Sequence, residues 1–214
     1  MQIISIDKET ISSLPVVHFK GEIHLIDSVA DVNRAVAFLS KQKVVGIDTE
    51  TRPAFKKGQH NKVALIQIST LKECFLFRVN ITGIPQSLAD FLASPDTLKI
   101  GLSLHDDFNA LHRRSDVEPK GFKDLQDIVG DFMITDLSLQ KIYAILFDQR
   151  ISKGQRVTNW EAPELTAAQM QYASIDAFAC LHIYNYLISG LFNPLNSKYL
   201  HEKPEEIETG HEEN

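Results

Sequence analysis

One stretch constrains this 214-residue chain more than any other: Val44-Val45-Gly46-Ile47-Asp48-Thr49-Glu50. It is β-branched and apolar at its start and ends in two carboxylates, which predicts a buried strand. Side chains on a strand alternate between faces, so Gly46, Asp48 and Glu50 share one face and Ile47 and Thr49 the other. Two carboxylates on one face of a core strand repel each other and lose their water. A divalent cation would compensate them. The other reading of this stretch alone is a strand that frays at Asp48 and leaves both acids in water.

The chain is 43% hydrophobic and 23% charged, which fits one globular domain with a sizeable core. The first residues, Met1-Gln2-Ile3-Ile4-Ser5-Ile6-Asp7, carry no basic leader, so no signal peptide is expected. No apolar run is long enough to cross a bilayer. Cys74 and Cys180 lie far apart without metal-ligand spacing. They read as reduced core residues of a cytoplasmic protein. The net charge of -6 speaks against a nucleic-acid partner, but it is unevenly placed. From residue 201 onward, Glu202, Glu205, Glu206, Glu208, Glu212 and Glu213 face Lys203 alone. The rest of the chain is close to neutral, and basic patches on it could hold a phosphate backbone.

Residues 1–22 read as an irregular lead-in and 23–26 as a short strand. Ser28, with Asp31 three residues on, caps a helix to about residue 41. Residues 52–62 form a basic loop. Val63–Ser69 and residues 74–79 are strong strands, close enough to make an antiparallel meander with the first. A helix follows Pro85, then a strand over 97–104 and a helix from about 105 to 114. Residues 122–133 leave helix and strand both open. Residues 137–147 have helical periodicity, and 148–159 form a second basic loop. The last long element is a helix over 166–189, opened by the capping box Thr166 and Gln169 and closed at Gly190. Tyr172, Asp176, Ala179, Cys180, Ile183 and Leu187 form one stripe of it. Residues 193–214 read as an acidic, disordered tail.

Three acidic signals need one explanation. Asp48 and Glu50 are the first. Asp107 is the second, at a strand-to-helix junction in Gly101-Leu102-Ser103-Leu104-His105-Asp106-Asp107-Phe108-Asn109-Ala110-Leu111. It shares a helix face with Leu111 and so points inward. The third is Tyr172 with Asp176, one helical turn apart. Alone, each has an ordinary reading. Asp107 is favoured in a first turn by the helix dipole. Tyr172 fits a core stripe, and Asp176 could accept from a buried donor. Together, four inward carboxylates and a phenol are what a two-metal phosphodiester site needs. Oxygen-only ligands favour magnesium or manganese.

In this order, Asp48-Thr49-Glu50, Asp107 and Tyr172-Ala173-Ser174-Ile175-Asp176 resemble the three motifs of the DEDD exonucleases with a tyrosine-type third motif. This is the ribonuclease D and Werner-syndrome exonuclease group. The resemblance runs from about residue 23 to 187. The segments Gly46 to Glu50, Lys62-Val63-Ala64-Leu65-Ile66-Gln67-Ile68, and Asn159-Trp160 through Leu165-Thr166 to Tyr172 are most similar to the Werner type. The flank Thr51-Arg52-Pro53 lacks the aromatic often found there. Phe108 and Leu111 match the family pattern when Asp107, rather than Asp106, is the ligand.

The resemblance implies an α/β, ribonuclease H-like fold over residues 23–192, with a mixed sheet of five to six strands flanked by helices. It implies a 3'-5' exonuclease that releases nucleoside monophosphates from a free 3' end of DNA or RNA. Asp48, Glu50 and Asp176 would hold the first of two divalent cations, Mg2+ or Mn2+. Asp48 would bridge to the second, with Asp107 reaching it directly or through water. Tyr172 would orient the attacking water. A stand-alone exonuclease is expected, without the helical domains of ribonuclease D or a helicase.

Basic residues flank these motifs. Arg52, Lys56, Lys57 and Lys62 follow the first, and Arg150, Lys153 and Arg156 precede the third. Arg150, Lys153, Arg156 and Lys57 are the candidate phosphate contacts, which give affinity without reading sequence. Surface loops are also charged without any such role. Phe55 and Trp160 could stack on bases, although Trp160 also suits packing beside the last helix. His105, at a helix start without a metal-spaced partner, reads as structural. The competing functions are a catalytically weak nucleic-acid-binding module that retains the exonuclease fold, and an interaction protein using its acidic tail. No motif indicates a membrane or a protein partner. DNA and RNA stay open, since contacts to the 2'-hydroxyl decide between them.

Overall fold

Polar turns and caps cut this chain into short elements, seen in a computed structural model that describes residues 1–54, 58 and 60–203. In order they are β1 (Gln2–Ile4), α1 (Lys8–Ser13), β2 (Glu22–Ile26), α2 (Val29–Leu39), β3 (Val44–Thr51), β4 (Val63–Ser69), β5 (Glu73–Phe77), α3 (Val79–Thr82), α4 (Gln86–Ala93), β6 (Leu98–Gly101), α5 (Leu104–His112), β7 (Phe122–Asp124), α6 (Gln126–Val129), α7 (Leu139–Phe147), α8 (Ala167–Ile188) and β8 (Leu200–Glu202). Six strands make one mixed sheet in the order β2-β5-β4-β3-β6-β7. β3, β4 and β5 form the antiparallel meander. β2 joins β5, and β6 joins both β3 and β7, in parallel, with other elements carrying the chain back between them.

Each face of the sheet has its own core. Val45, Ile47, Ile66, Ile68, Phe75 and Phe77 pack with apolar residues of α2, α4 and α5. Leu65, Leu76 and Ile100 pack with those of α7 and α8. Because both faces are covered, β4 is an unbroken buried run. Cys74 and Cys180 are buried free thiols. Among the described residues no helix is long and apolar enough to cross a membrane.

α8 positions most of the site. The Thr166 hydroxyl accepts the Gln169 N–H at 3.2 Å, and the Gln169 side chain accepts the Thr166 N–H at 3.0 Å. This capping box fixes where the helix starts. Gly190 takes the left-handed conformation just past its end, at φ 74°. The 22 residues of α8 run about 33 Å across the sheet. At Gly46 the contact with β3 is backbone to backbone. A Cβ there would stand 1.9 Å from the Ala177 carbonyl oxygen. Glycine thus lets α8 lie directly on β3, and Asp48, two residues on, comes up beside Asp176.

Several expectations need correction. Residues 1–22 are not irregular. Asp7 caps α1 by accepting the Thr10 N–H at 2.7 Å, and Ile3, Ile4, Ile6 and Ile11 are buried. Residues 193–203 do not belong to a disordered tail. β8 pairs antiparallel with β1, placing Leu200 opposite Ile4 and His201 opposite Ile3. Pairing between such distant segments outweighs the local polar composition. The acidic residues from 204 onward lie outside the described residues, as do Phe55, Lys56 and Lys57. The strand expected over 97–104 stops at Gly101, because the chain turns at Ser103 into the left-handed region, at φ 59°. The open region 122–133 resolves into β7, α6 and a 3-10 turn.

Candidate active site

The period-two face of β3 and the period-3.6 face of α8 meet at their acids. One carboxylate oxygen from each of Asp48, Glu50 and Asp176 lies within 4.8 Å of the others. Asp48 and Glu50 are half-buried where β3 runs out toward a cleft, and Asp176 is buried. Asp107 comes from the first turn of α5. Its Oδ1 accepts the hydroxyl of Thr49, which lies on the opposite face of β3 from Asp48. Asp107 is therefore beside the group of three and not within it. Asp106 and His105 are exposed, so α5 turns Asp107 inward and its neighbour outward.

The corner that aims Asp107 is fastened by two residues that the sequence left unassigned. Asp124 Oδ2 accepts the Leu104 N–H at 2.8 Å, and its Oδ1 accepts the Gln126 N–H at 2.9 Å. Gln126 Nε2 then donates to Ser103 Oγ at 2.9 Å. These bonds hold a non-glycine residue in a left-handed conformation that disfavours it. An acid closing a short strand, two residues before a glutamine, is the trace they leave in the sequence. It falls where helix and strand were both open.

Tyr172 donates its hydroxyl to Asp176 one turn along α8. Its ring lies beside Trp160, with centroids 6.1 Å apart. Trp160 is fully buried, so it packs against α8 and is not a base-stacking platform.

Crowding of like charges decides the protonation of these groups. Burial, then the charges of Asp107, Asp176 and Glu50, hold the Asp48 carboxyl well above the usual carboxylate range. Burial, then Asp176 and Asp107, push Glu50 up to about 9, with Arg156 opposing. Burial pushes Asp107 up to about 7 against its hydrogen bond from Thr49. It likewise pushes Asp176 up to about 7 against its bond from Tyr172. Burial, then Asp176 and Glu50, also raise Tyr172, which stays protonated and donates.

This donor set fits a hard divalent cation. The converging atoms are all carboxylate oxygens, and among the described residues none of these acids forms an ion pair. Unfolded carboxyls ionise near about pH 4. Folded, Asp107 and Asp176 keep their protons to about 7 and Glu50 to about 9. The cluster thus favours the fold most below the unfolded values, and that contribution is lost as pH rises through the folded ones. A cation binds the ionised set and displaces protons. Magnesium should therefore raise the melting temperature more at about pH 8.5 than at about pH 6. Equal rises at both, or none, would show that the cation sits elsewhere.

Two clefts flank the acids. One, of about 470 Å³, is lined by Asp48, Tyr172 and Asp176 together with Lys153 and Arg156. The other, of about 510 Å³, is lined by Glu50 and Asp107 together with Arg52, His60, Asn109 and Arg113. Lys153 and Arg156 are thus placed beside the acids. Arg150 is not among the lining residues. Its Nε donates to the Leu14 carbonyl at 3.0 Å, and its backbone bridges Val16, so it fastens the lead-in. Lys57 lies outside the described residues. Arg52 forms a 3.8 Å ion pair with Glu161, in the loop ahead of α8. Arg113 and His60 were not singled out in the sequence. Arg113 follows Asp106 at a helical spacing of seven, which puts both on one side of α5.

A family profile for 3'-5' exonucleases matches residues 23–191. This chain belongs to the 3'-5' exonuclease family. A 3'-5' exonuclease of Arabidopsis thaliana is 29% identical to it over 191 residues, covering 82% of this chain and 66% of that protein. The bifunctional 3'-5' exonuclease/ATP-dependent helicase WRN of Mus musculus is 30% identical over 185 residues, covering 82% of this chain and 13% of that protein. The exonuclease domain thus spans less than two thirds of the length of either relative. The Aedes aegypti Nibbler EXO domain superposes with a TM-score of 0.71 at 22% identity, covering 84% of this chain and 96% of that one. The fold of this exonuclease domain is ribonuclease H-like, at the six-strand end of the expected range.

Proposed function

We propose that this exonuclease domain is catalytically active and removes nucleoside monophosphates from the 3' end of DNA or RNA, using two divalent cations, Mg2+ or Mn2+. The observation that carries this reading is the convergence of Asp48, Glu50 and Asp176, with Asp107 alongside. Asp48, Glu50 and Asp176 would hold one cation, and Asp107 with Asp48 would hold the other. When bound, the cations supply positive charge to stabilise the attacking and leaving oxygens. Tyr172 lines the cleft beside Asp48 and Asp176 and would orient the attacking water. That water adds to phosphorus as the bond to the 3' oxygen breaks. The shortened strand keeps a 3'-hydroxyl, and the released nucleotide keeps the phosphate. Lys153 and Arg156 on one flank, and Arg52 and Arg113 on the other, balance the charge of the strand without reading its bases.

End-labelled single- and double-stranded DNA and RNA, digested with magnesium and manganese in parallel, test this directly. Stepwise shortening from the 3' end, stopped by a chelator, is expected. Intact substrate in every lane would overturn the reading and favour a binding module.

Tyr172→Phe removes one oxygen and leaves the ring on its helix stripe. Cation binding and melting temperature should hold, and KM should change little. The kcat should fall about 10²–10⁴-fold, the usual effect of losing a positioning or proton-transfer group. Wild-type kcat, on a substrate where chemistry limits the rate, would return Tyr172 to the core.

A further inference from the structure

Gln67 lies in the middle of β4 and is fully buried. Its cross-strand partner is Asp48. Directly opposed residues of an antiparallel pair point to the same face, with Cβ atoms about 4.5–5.5 Å apart. The two side chains therefore leave the sheet side by side on its α8 face. Neither Gln67 Oε1 nor Gln67 Nε2 has a hydrogen-bond partner among the described residues. An unpaired buried amide weakens a fold, and few native structures keep one without reason. Packing supplies no reason here. Both strand neighbours, Ile66 and Ile68, are buried aliphatics, and on its own face Gln67 is flanked by Leu65 and by Ser69, whose hydroxyl donates to the Thr70 carbonyl at 2.7 Å. An apolar side chain of equal length would suit that run better.

What sets the position apart is Asp48. A carboxylate only accepts, and an amide nitrogen offers two N–H groups. We propose that Gln67 is a positioning residue for Asp48: with the cation bound, its free Nε2–H donates to one carboxylate oxygen and so fixes the rotamer that presents the other oxygen to the cation. The inference rests on the cation-dependent reading of the site. Gln67 is too deeply buried to touch nucleic acid, so its effect passes through Asp48 alone. Partners of this kind, one shell out from a metal, typically contribute 10–100-fold in metal affinity or activity.

Gln67→Met tests this, because it keeps length and removes both polar atoms. Magnesium and manganese affinity is measured by titration calorimetry, melting temperature without cation by calorimetry, and KM and kcat at saturating cation. Three results are expected together. The melting temperature without cation holds or rises. Cation affinity falls about 10–100-fold. KM for nucleic acid stays at the wild-type value. In an Asp48→Asn background the same substitution should change cation affinity no further. Unchanged affinity in Gln67→Met, or an undiminished loss in the Asp48→Asn background, would reduce Gln67 to an ordinary core amide. If Gln67→Met does not fold, Gln67→Asn is read the same way, since it keeps the amide but withdraws it by one methylene. A wild-type protein that binds neither cation would overturn the proposed function along with this inference. Normal wild-type binding with an indifferent Gln67→Met would overturn this inference alone.

Discussion

Asp48→Asn should abolish cleavage while the fold stays intact. Asp48 stands in the converging group of three, and the charge of Asp107 is the largest of the neighbouring charges acting on it. An amide is neutral and a poorer ligand for a hard cation. Losing the charge stabilisation that cations provide removes several kcal/mol from the transition state, and each 1.36 kcal/mol is tenfold in rate. The loss should therefore be about 10³-fold or more. Stability should move the other way. Burial and three neighbouring acids all oppose an ionised Asp48, and asparagine has no charge to oppose. Melting temperature without cation should hold or rise, and its rise with magnesium should shrink. Turnover near the wild-type rate would refute the assignment of Asp48 to the cation site.

Gly46→Ala should damage both stability and activity, for a purely steric reason. The added methyl carbon would stand 1.9 Å from the Ala177 carbonyl oxygen, 2.9 Å from its carbon and 3.1 Å from Leu181 Cβ. The first two are backbone atoms of α8, so no side chain can swing aside. Either α8 lifts or β3 sinks. Overpacking of this kind costs about 3 kcal/mol at the upper end of its usual range, which lowers the melting temperature of a chain this size by roughly 6–12 °C. The same displacement separates Asp176 on α8 from Asp48 on β3. A misplacement of about 1 Å can cost roughly 10²-fold in rate, so the surviving folded protein should also be slow. Gly130→Ala is the control. Nothing lies within 4 Å of a methyl group there, and its backbone is already helical, at φ -60° and ψ -35°. That variant should hold or gain stability. A Gly46→Ala protein melting close to the wild type would mean that α8 does not rest on β3 as described.

The parts of this site that could be read from the sequence are those set by local periodicity. Alternation along β3 puts Asp48 and Glu50 on one face whatever lies above them. The helical turn from Tyr172 to Asp176, and the cap at Thr166, place the third motif on its stripe. Other features depend on which distant segments meet. Arg150 looks like any other base in a polar loop until Leu14 and Val16 are found beside it. Trp160 could have faced a base or a helix, and burial decides for the helix. Gly46 carries no local sign that a helix backbone rests on it. Gln67 is the one amide in an otherwise apolar run, but only the register of the folded meander places it opposite Asp48. The lead-in and residues 193–203 give no local sign of their structure for the same reason. Each is a strand only because the other is there.

That mutual dependence has a kinetic side. β1 and β8 come from opposite ends of the described chain, and each is three residues long. Closing so long a loop in an open chain is entropically unfavourable, and three residue pairs recover little of that loss. The pair becomes accessible only after the intervening sheet has condensed and brought the ends near each other. β1 and β8 therefore join late in folding and part early in local opening, ahead of the β3–β4 ladder. The elements that carry the acids meet one another directly, α8 on β3 and α5 on β3. Such fraying leaves the acidic cluster assembled, so opening at the ends of the chain does not reach the site.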